Sequence, residues 1–240
     1  MGVFAALIKD FWLMLIMHWP GGTGAQLRYR YYRRRLAHLG VGVTIDAGVY
    51  ISNPGYVSID DNCWIDRGVT ILAGPCGGKD REFLTRTNAD FRLQEGVVSI
   101  GKNCHIGIRS IISGFAGVQL EDNVNLGPDT KLYSLTHHYR SVRHPSRPVV
   151  CGSRGARDRQ CLFAGPVVLK AGAVVMANAI IMPAVTIGKN SAVLIGSVVL
   201  RGVPENVVVR GDPMNVVGVR FPNSPNTERS LSAVNQTREG

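Results

Sequence analysis

Residues 169–203 read LKAGAVVMANAIIMPAVTIGKNSAVLIGSVVLRGV. An aliphatic residue opens every sixth place, at Leu169, Val175, Ile181, Ile187, Val193 and Val199. A small or short branched residue follows four places later, at Ala173, Ala179, Val185, Ser191 and Ser197. Neither a helical period of about 3.6 nor a strand period of 2 produces this spacing. Six residues per flat side and three sides per coil do. The aliphatic residue then points into a narrow core, and the fifth residue lies near a corner that admits only a small side chain. Gly, Asn and Asp supply the turn conformations.

The rhythm runs backward through the chain. Ile59, Ile65 and Ile71 share it, as do Ile100, Ile106 and Ile112, and Leu120, Leu126 and Leu132. A single coil cannot bury its own apolar face, so the coils must stack. Two stretches leave the pattern, residues 75–96 and 135–160. Long departures from a stiff scaffold often carry function. The second holds Tyr139, Arg140, Arg143, His144, Pro145, Arg147, Arg154, Arg157 and Arg159.

The 240 residues are 45% hydrophobic but only 7% aromatic, which suits a core of small branched side chains. The 28 glycines and 12 prolines show no Gly-X-Y period, so a collagen-like chain is excluded. A formal charge of +10 points to an anionic partner. The five cysteines, Cys63, Cys76, Cys104, Cys151 and Cys161, are odd in number and contain no CxxC. They read as reduced thiols of a cytoplasmic protein, not as a disulfide framework or a metal site.

The amino-terminal stretch VFAALIKDFWLMLIMHW (residues 3–19) is interrupted by Lys9 and Asp10. Its clean run, Phe11 to Met17, is far short of the roughly 20 residues a bilayer span requires. No basic region precedes it and no cleavage site follows, against a secretory signal. Ala6 breaks the myristoylation pattern after Gly2. Pro20-Gly21-Gly22 is expected to end the helix, and RYRYYRRR (Arg28–Arg35) follows. An apolar amphipathic helix beside arginines predicts contact of residues 3–35 with the inner face of the cell membrane. Capping of the coil end is the alternative, and nucleic acid is not an expected partner. The expected organisation is a helix and basic segment over 1–40, a coil domain over 41–220 with loops 75–96 and 135–160, and a flexible tail over 221–240.

The hexads over residues 43–217 resemble the hexapeptide-repeat acyltransferases, and most closely their galactoside, maltose and polysaccharide O-acetyltransferase branch. PENVVVRGDPMNVV (residues 204–217) is similar to the closing segment of that family. The resemblance implies an all-β, left-handed parallel β-helix, opposite to the usual hand of parallel crossovers. It also implies a homotrimer with sites shared between subunits, and acetyl-CoA as donor. In the segment LGPDTKLYSLTHHYR (residues 126–140), Pro128 and Leu132 align so that His137 takes the position of the catalytic base. Imidazole, with a pKa of about 6.5, can take a proton from an alcohol at neutral pH and return it to the leaving thiolate. His138 is the alternative base, whereas His105 and His144 read as solvated or packing residues.

The same resemblance places Asp66 at an acceptor-contacting position, with Trp64 beside it to stack on a sugar ring. It assigns Ala177, Gly196 and Ser197 to the pantetheine slot and Arg201 to the coenzyme phosphates, with Arg210 and Arg220 nearby. Met176, Leu194 and Ile195 are bulkier than in relatives, as are Lys170 and Met182 at second places, which implies a reshaped donor slot. Asn215 and Gly218 stand where relatives carry Arg. The expected function is acetyl transfer from acetyl-CoA to a sugar hydroxyl, in surface-polysaccharide or lipid-linked glycan biosynthesis. Alternatives are an N-acyltransferase acting on a nucleotide-linked amino sugar and a degenerate scaffold. A three-histidine metal site of carbonic-anhydrase type does not match the spacing, and no metal is expected.

Overall fold

In the computed structural model, which describes residues 3–77, 80–144, 146–152, 154–211 and 215–219, the inward residues of the hexads stack in columns. Ile65 pairs with Ile106, Ile106 with Leu126, Leu126 with Val175, Val175 with Val193, and Val193 with Val209. None of these side chains is exposed. The coil strands are mostly two or three residues long and form three parallel sheets, giving a left-handed parallel β-helix. Face A has six strands, from His38–Leu39 to Thr186–Ile187. Face B has eight, from Thr44–Ile45 to Asn215–Val219, the last of them antiparallel to Val207–Arg210, and face C six, from Tyr50–Ser52 to Val198–Val199. The expected flexible tail, Arg220 and Pro145 lie outside the described residues, as do the side chains of Asn215 and Gly218.

The corners follow from turn chemistry. Between faces A and B, Asn62, Asn103, Asn123, Asn190 and Asn206 all have positive φ, a conformation asparagine tolerates. Asn103 donates its amide to Asn123 at 3.3 Å, one coil up. Between faces B and C the equivalent residues are Gly68, Arg109, Asp129, Asn178 and Gly196. There Arg109 forks onto the Asp129 carboxylate at 3.0 and 2.6 Å. The fifth-place residues are buried. Where they are polar, the hydroxyl is tied to the backbone of a neighbouring turn: Ser110 donates to the Gly127 carbonyl at 3.1 Å and Ser191 to the Pro204 carbonyl at 2.6 Å. Cys63 and Cys104 do the same with the carbonyls of Gly101 and Glu121. The adjacent Cys63 sulfur and burial push the Cys104 thiol well up.

The amino terminus departs from expectation. Helix α1 (Val3–His18) ends before Pro20, but the chain re-enters helix at once as α2 (Gly21–Arg33), so most of the basic segment is helical. Pro20 is the extended residue before α2 and needs no backbone N–H there. Capping falls to α2 and the residues after it: Arg28, Tyr32, Leu36 and Leu39 are buried at the coil end. His38–Leu39 already pairs with Ser58 and Ile59, so the coil begins within the segment assigned to the amino-terminal unit.

Arg28 joins the three parts. Its Nε donates to the Ile45 carbonyl at 2.7 Å, and its Nη1 to the carbonyls of Ile16 and Trp19 at 3.1 and 2.8 Å. The last two are orphan acceptors at the α1 carboxyl end, where a cation is favoured. The helices approach so closely that a Cβ on Gly24 would lie 1.9 Å from the Trp19 carbonyl oxygen.

The two excursions are not plain loops. They contribute β1 (Glu82–Thr85), β2 (Leu135–His137) and β3 (Cys161–Ala164) to one side sheet of order β2-β3-β1. Strand β2 runs antiparallel to β3, and β3 parallel to β1. The coil resumes at Val98 and at Val167. Gly74 donates to the Gly96 carbonyl at 2.8 Å across the neck of the first excursion. A Cβ on Gly96 would sit 2.3 Å from the Pro75 nitrogen, so only glycine closes this neck. The excursion is pinned to face A. Thr186 reaches Asn88 and Asp90 at 3.1 and 2.9 Å, and Lys170 Nζ bridges Asp90 and Glu121 at 3.3 and 3.2 Å. Lys170 is thus an anchor for the excursion, which accounts for its size at a position where small or acidic residues were expected.

Replacing Arg28 with alanine leaves the Ile45 and Ile16 carbonyls without a buried donor, at about 1–3 kcal/mol for each group. Urea denaturation of Arg28→Ala is expected to show a loss of about 3 kcal/mol, only partly restored in Arg28→Lys.

Candidate active site

Ser134 marks the point where the chain leaves the coil. It is buried at the corner after face C, where its hydroxyl donates to the Ser113 carbonyl at 2.7 Å and accepts from the Ala116 N–H at 2.9 Å. The next residue begins β2. The register sets His137, Leu162 and Phe83 in one row across the side sheet, and Leu135, Ala164 and Thr85 in the next. Side chains two apart on a strand share a face, so these six residues face the same way. Phe83, Thr85 and Ala164 wall a cavity of about 690 Å³. Its other lining includes Phe91, Leu93 and Ala116, with Arg86, Thr87, Asn88 and Glu95 among the polar groups.

His137 is exposed at the edge of that face. Its Nε2 accepts a long hydrogen bond, 3.4 Å, from the Gly152 N–H. His138 faces away by strand alternation. Its backbone N–H donates to the Cys161 carbonyl at 2.8 Å, its Nδ1 lies against the Arg140 backbone, close to the carbonyl and 3.4 Å from the N–H, and its ring stacks on Tyr139 at 4.7 Å.

Glu82 holds the segment that follows. Its carboxylate accepts from the Ser141 hydroxyl at 2.6 Å and from the Val142 and Arg143 N–H groups, each at 2.8 Å. The serine hydrogen bond first, then the two backbone donors, hold Glu82 below the usual carboxylate range despite some burial. Buried Gln160 donates to the carbonyls of Gly152 and Gly155 at 2.8 and 3.0 Å, which fixes the turn that aims the Gly152 N–H at His137. No periodicity signals Glu82, Ser141 or Gln160, because all three lie outside the hexads.

Several expected site residues are placed elsewhere. Trp64 and Asp66 lie on the outer side of face B, whereas His137 leaves from the far edge of face C, so one chain does not bring them together. Instead Asp66 pairs with His105 at 3.0 Å, and the Trp64 indole N–H donates to Asp46 at 3.1 Å. The rings of Trp64 and His105 lie 5.9 Å apart. His105 is therefore part of a polar cluster, not a packing residue. The signal was present: Ile65 and Ile106 are equivalent hexad openings, so Trp64 and His105 must be neighbours.

Ser197 is fully buried, and its hydroxyl accepts from the Gly211 N–H at 2.9 Å. Its side chain faces the core and cannot line a coenzyme slot. Ala177 and Gly196 stack at the edge between faces B and C, with the Gly196 N–H on the Ala177 carbonyl at 2.9 Å. Arg201 is exposed, but it follows Val198–Val199 at the opposite edge of face C. Met176, Ile195 and Leu200 are exposed around these edges. Among the described residues, no helix is long and apolar enough to cross a membrane.

Comparison with known proteins agrees with this architecture. Residues 97–127 match the family described as hexapeptide repeat of succinyl-transferase. Galactoside O-acetyltransferase of Escherichia coli is 32% identical over 126 residues, covering 50% of this chain and 55% of that protein. The chain spans about half the length of the curated relatives it matches. Among solved structures, the N-acyltransferase AntD from Bacillus cereus, in complex with dTDP and 3-hydroxybutyryl-CoA, superposes with a TM-score of 0.64 at 20% identity, covering 87% of this chain and 96% of that one. A hexapeptide-repeat acetyltransferase from Vibrio cholerae, complexed with acetyl coenzyme A, gives a TM-score of 0.52 at 20% identity over 87% of this chain and 84% of that one. In-phase hexads and three-sided coils thus go with a hexapeptide-repeat match over residues 97–127 and with partial similarity to acetyltransferases built on the same fold.

Proposed function

We propose that this protein transfers an acetyl group from acetyl-CoA to a hydroxyl of a sugar or glycan, with His137 as general base. The observation that carries the reading is that His137 shares a side-sheet face with the cavity-lining Phe83, Thr85 and Ala164, at the strand edge beyond the 690 Å³ cavity and not in its wall. An acceptor seated there presents its hydroxyl to Nε2 and displaces the weak Gly152 contact. The imidazole takes the proton as the oxygen attacks the thioester carbonyl. It returns that proton to the departing thiolate, so the ester forms and the base is regenerated. Such a base contributes about 10²–10⁴ in rate. His138, on the opposite side of the sheet, is the alternative base. An acetyl-CoA donor places the reaction in the cytoplasm, and surface-polysaccharide or lipid-linked glycan biosynthesis would supply such an acceptor.

The donor side supports a shared site. Ala177 and Gly196 lie at one edge of face C, and His137 and Arg201 lie at the other. The width of the face, five residue steps, is about 17 Å. A general base must come within about 3 Å of the proton it takes. A homotrimer with face C turned inward would set one edge of a protomer against the opposite edge of its neighbour. The outer side of face C is apolar enough to be buried this way, through Leu72, Ile111, Ile180, Met182, Val198 and Leu200.

A second reading is transfer to the amine of a nucleotide-linked amino sugar. The complexes of AntD include one with dTDP-4-amino-4,6-dideoxyglucose. The apolar wall of Phe83, Phe91 and Leu93 would suit the methyl group of a deoxy sugar. Acetylation assays with matched hydroxyl and amine acceptors separate the two.

His137→Ala is expected to lower kcat by about 10²–10⁴ with an unchanged melting temperature, and His138→Ala by much less. Full activity in His137→Ala would refute the assignment. Ile180→Glu combined with Leu200→Glu is expected to sediment as a monomer and to lose activity with His137 intact. The depressed pKa of Glu82 makes its clamp strongest above the unfolded carboxylate value, about 4.3, and progressively lost as pH falls through the folded value. Protection factors of the Val142 and Arg143 amides, taken against the intrinsic exchange rate at each pH, should therefore hold from neutrality down to the usual carboxylate range and fall below it. In Glu82→Gln they should already be low at pH 7.

A further inference from the structure

We propose that α1 lies in the headgroup region of an anionic bilayer, with the cationic end of α2 on the lipid phosphates. The inference is independent of the catalytic reading.

Helix α1 has two apolar sectors. Leu13 and Met17 turn toward α2 and the coil, where they share a cleft with Tyr31, Tyr32 and Arg35. The other sector has no such cover. Leu7, Phe11 and Met14 follow at four- and three-residue spacing, with Ile8 and Trp12 beside them, which makes one broad stripe on a helix. These five side chains are 46–61% exposed, and Trp19 just past the helix is 47% exposed. Asp10 falls outside the stripe at 100° per residue. At 16 residues the helix is about 24 Å long, short of the roughly 30 Å of a hydrocarbon core. A helix of this kind lies in the interface and does not cross it.

Charge decides between a bilayer and a second copy of the chain. Arg30, Arg33, Arg34 and Arg35 are exposed at the end of α2, and α2 contains no acidic residue. Arg35 lies on the cleft that α1 forms, so the cationic cluster and the apolar helix belong to one surface. Pairing this surface with its own copy would set guanidinium against guanidinium. Anionic headgroups satisfy both the arginines and the apolar stripe, and Trp12 and Trp19 suit the water–lipid boundary. Arg28 holds α1 at this angle through its hydrogen bonds to the Ile16 and Trp19 carbonyls.

The test is flotation of the full chain with phosphatidylcholine vesicles, with and without phosphatidylglycerol. Wild type is expected to float with the mixed vesicles and to release in high salt. Phe11→Glu with Trp12→Glu should abolish flotation while circular dichroism and melting temperature stay unchanged, since both side chains are exposed. Reversing Arg33 or Arg34 to Glu should weaken binding to the anionic vesicles by at least about fivefold each. With Trp19 and Trp64 changed to Phe, Trp12 emission should shift to the blue on vesicle addition. Failure of wild type to bind, or undiminished binding by the Phe11/Trp12 variant, overturns the proposal. So does a fall in oligomer mass in that variant without wild-type flotation, because α1 would then serve a protein contact.

Discussion

Coil-to-coil backbone hydrogen bonding is the interaction on which the rest of the molecule depends. Strands of two or three residues would not persist alone, since ordering each residue costs about 1–2 kcal/mol of backbone entropy. Here each inner strand finds partners above and below, one coil away along the chain or farther where an excursion intervenes, as when the Met176 N–H meets the Val193 carbonyl at 2.9 Å and the Gly127 N–H meets the Val175 carbonyl at 2.7 Å. The register that satisfies the backbone also drops one aliphatic side chain per side into the core. The resulting prism has little freedom to deform, so chemistry is placed at its edges and on the two segments that leave it.

Much of this was legible in the sequence because the period is unusual and sustained. The inward column, the small corner residues and the asparagine turns follow from the hexads alone. The position of His137, the first of two tandem imidazoles in the Leu126–Arg140 segment that leaves the coil, came from family likeness laid over that periodicity. Ser197 shows the two kinds of reading in conflict. It stands in the same fifth-place column as Thr130 and Ala179, so the geometry of the repeat predicts a buried side chain. Likeness alone assigned it to a coenzyme, and the hydrogen bond with Gly211 shows that the repeat geometry was the better guide.

What the sequence hid is long-range and aperiodic. Glu82 meets Ser141 across 59 residues, and strands β1 and β3 pair although nearly eighty residues separate them. Nothing in local propensity forecasts such pairings, because they are selected by burial and hydrogen bonding in the assembled molecule. The same holds for Arg28. A run of arginines and tyrosines beside an apolar helix reads as a basic segment facing a membrane surface, yet one of its members is buried and donates to the end of α1. Burial of that side chain follows from the crossing of two helices, which composition does not encode.

The division of labour between prism and side sheet has a consequence for acceptor choice. Both excursions are closed at their necks by hydrogen bonds made within the prism's own edge: Gly74 to the Gly96 carbonyl, and Gly165 to the Ser134 carbonyl at 2.9 Å. The coil therefore keeps its register whatever the excursions contain. Lengthening a closed loop costs little, about 0.6 kcal/mol for each doubling. The cavity wall, by contrast, is made largely of excursion residues, Phe83, Arg86, Phe91 and Leu93 among them. On the proposed reading of the cavity as acceptor site, acceptor preference can be rebuilt by changing residues 75–95 without touching the core. The edge at Ala177 and Gly196, proposed above for the donor, is bound to the coil geometry and is free to vary far less.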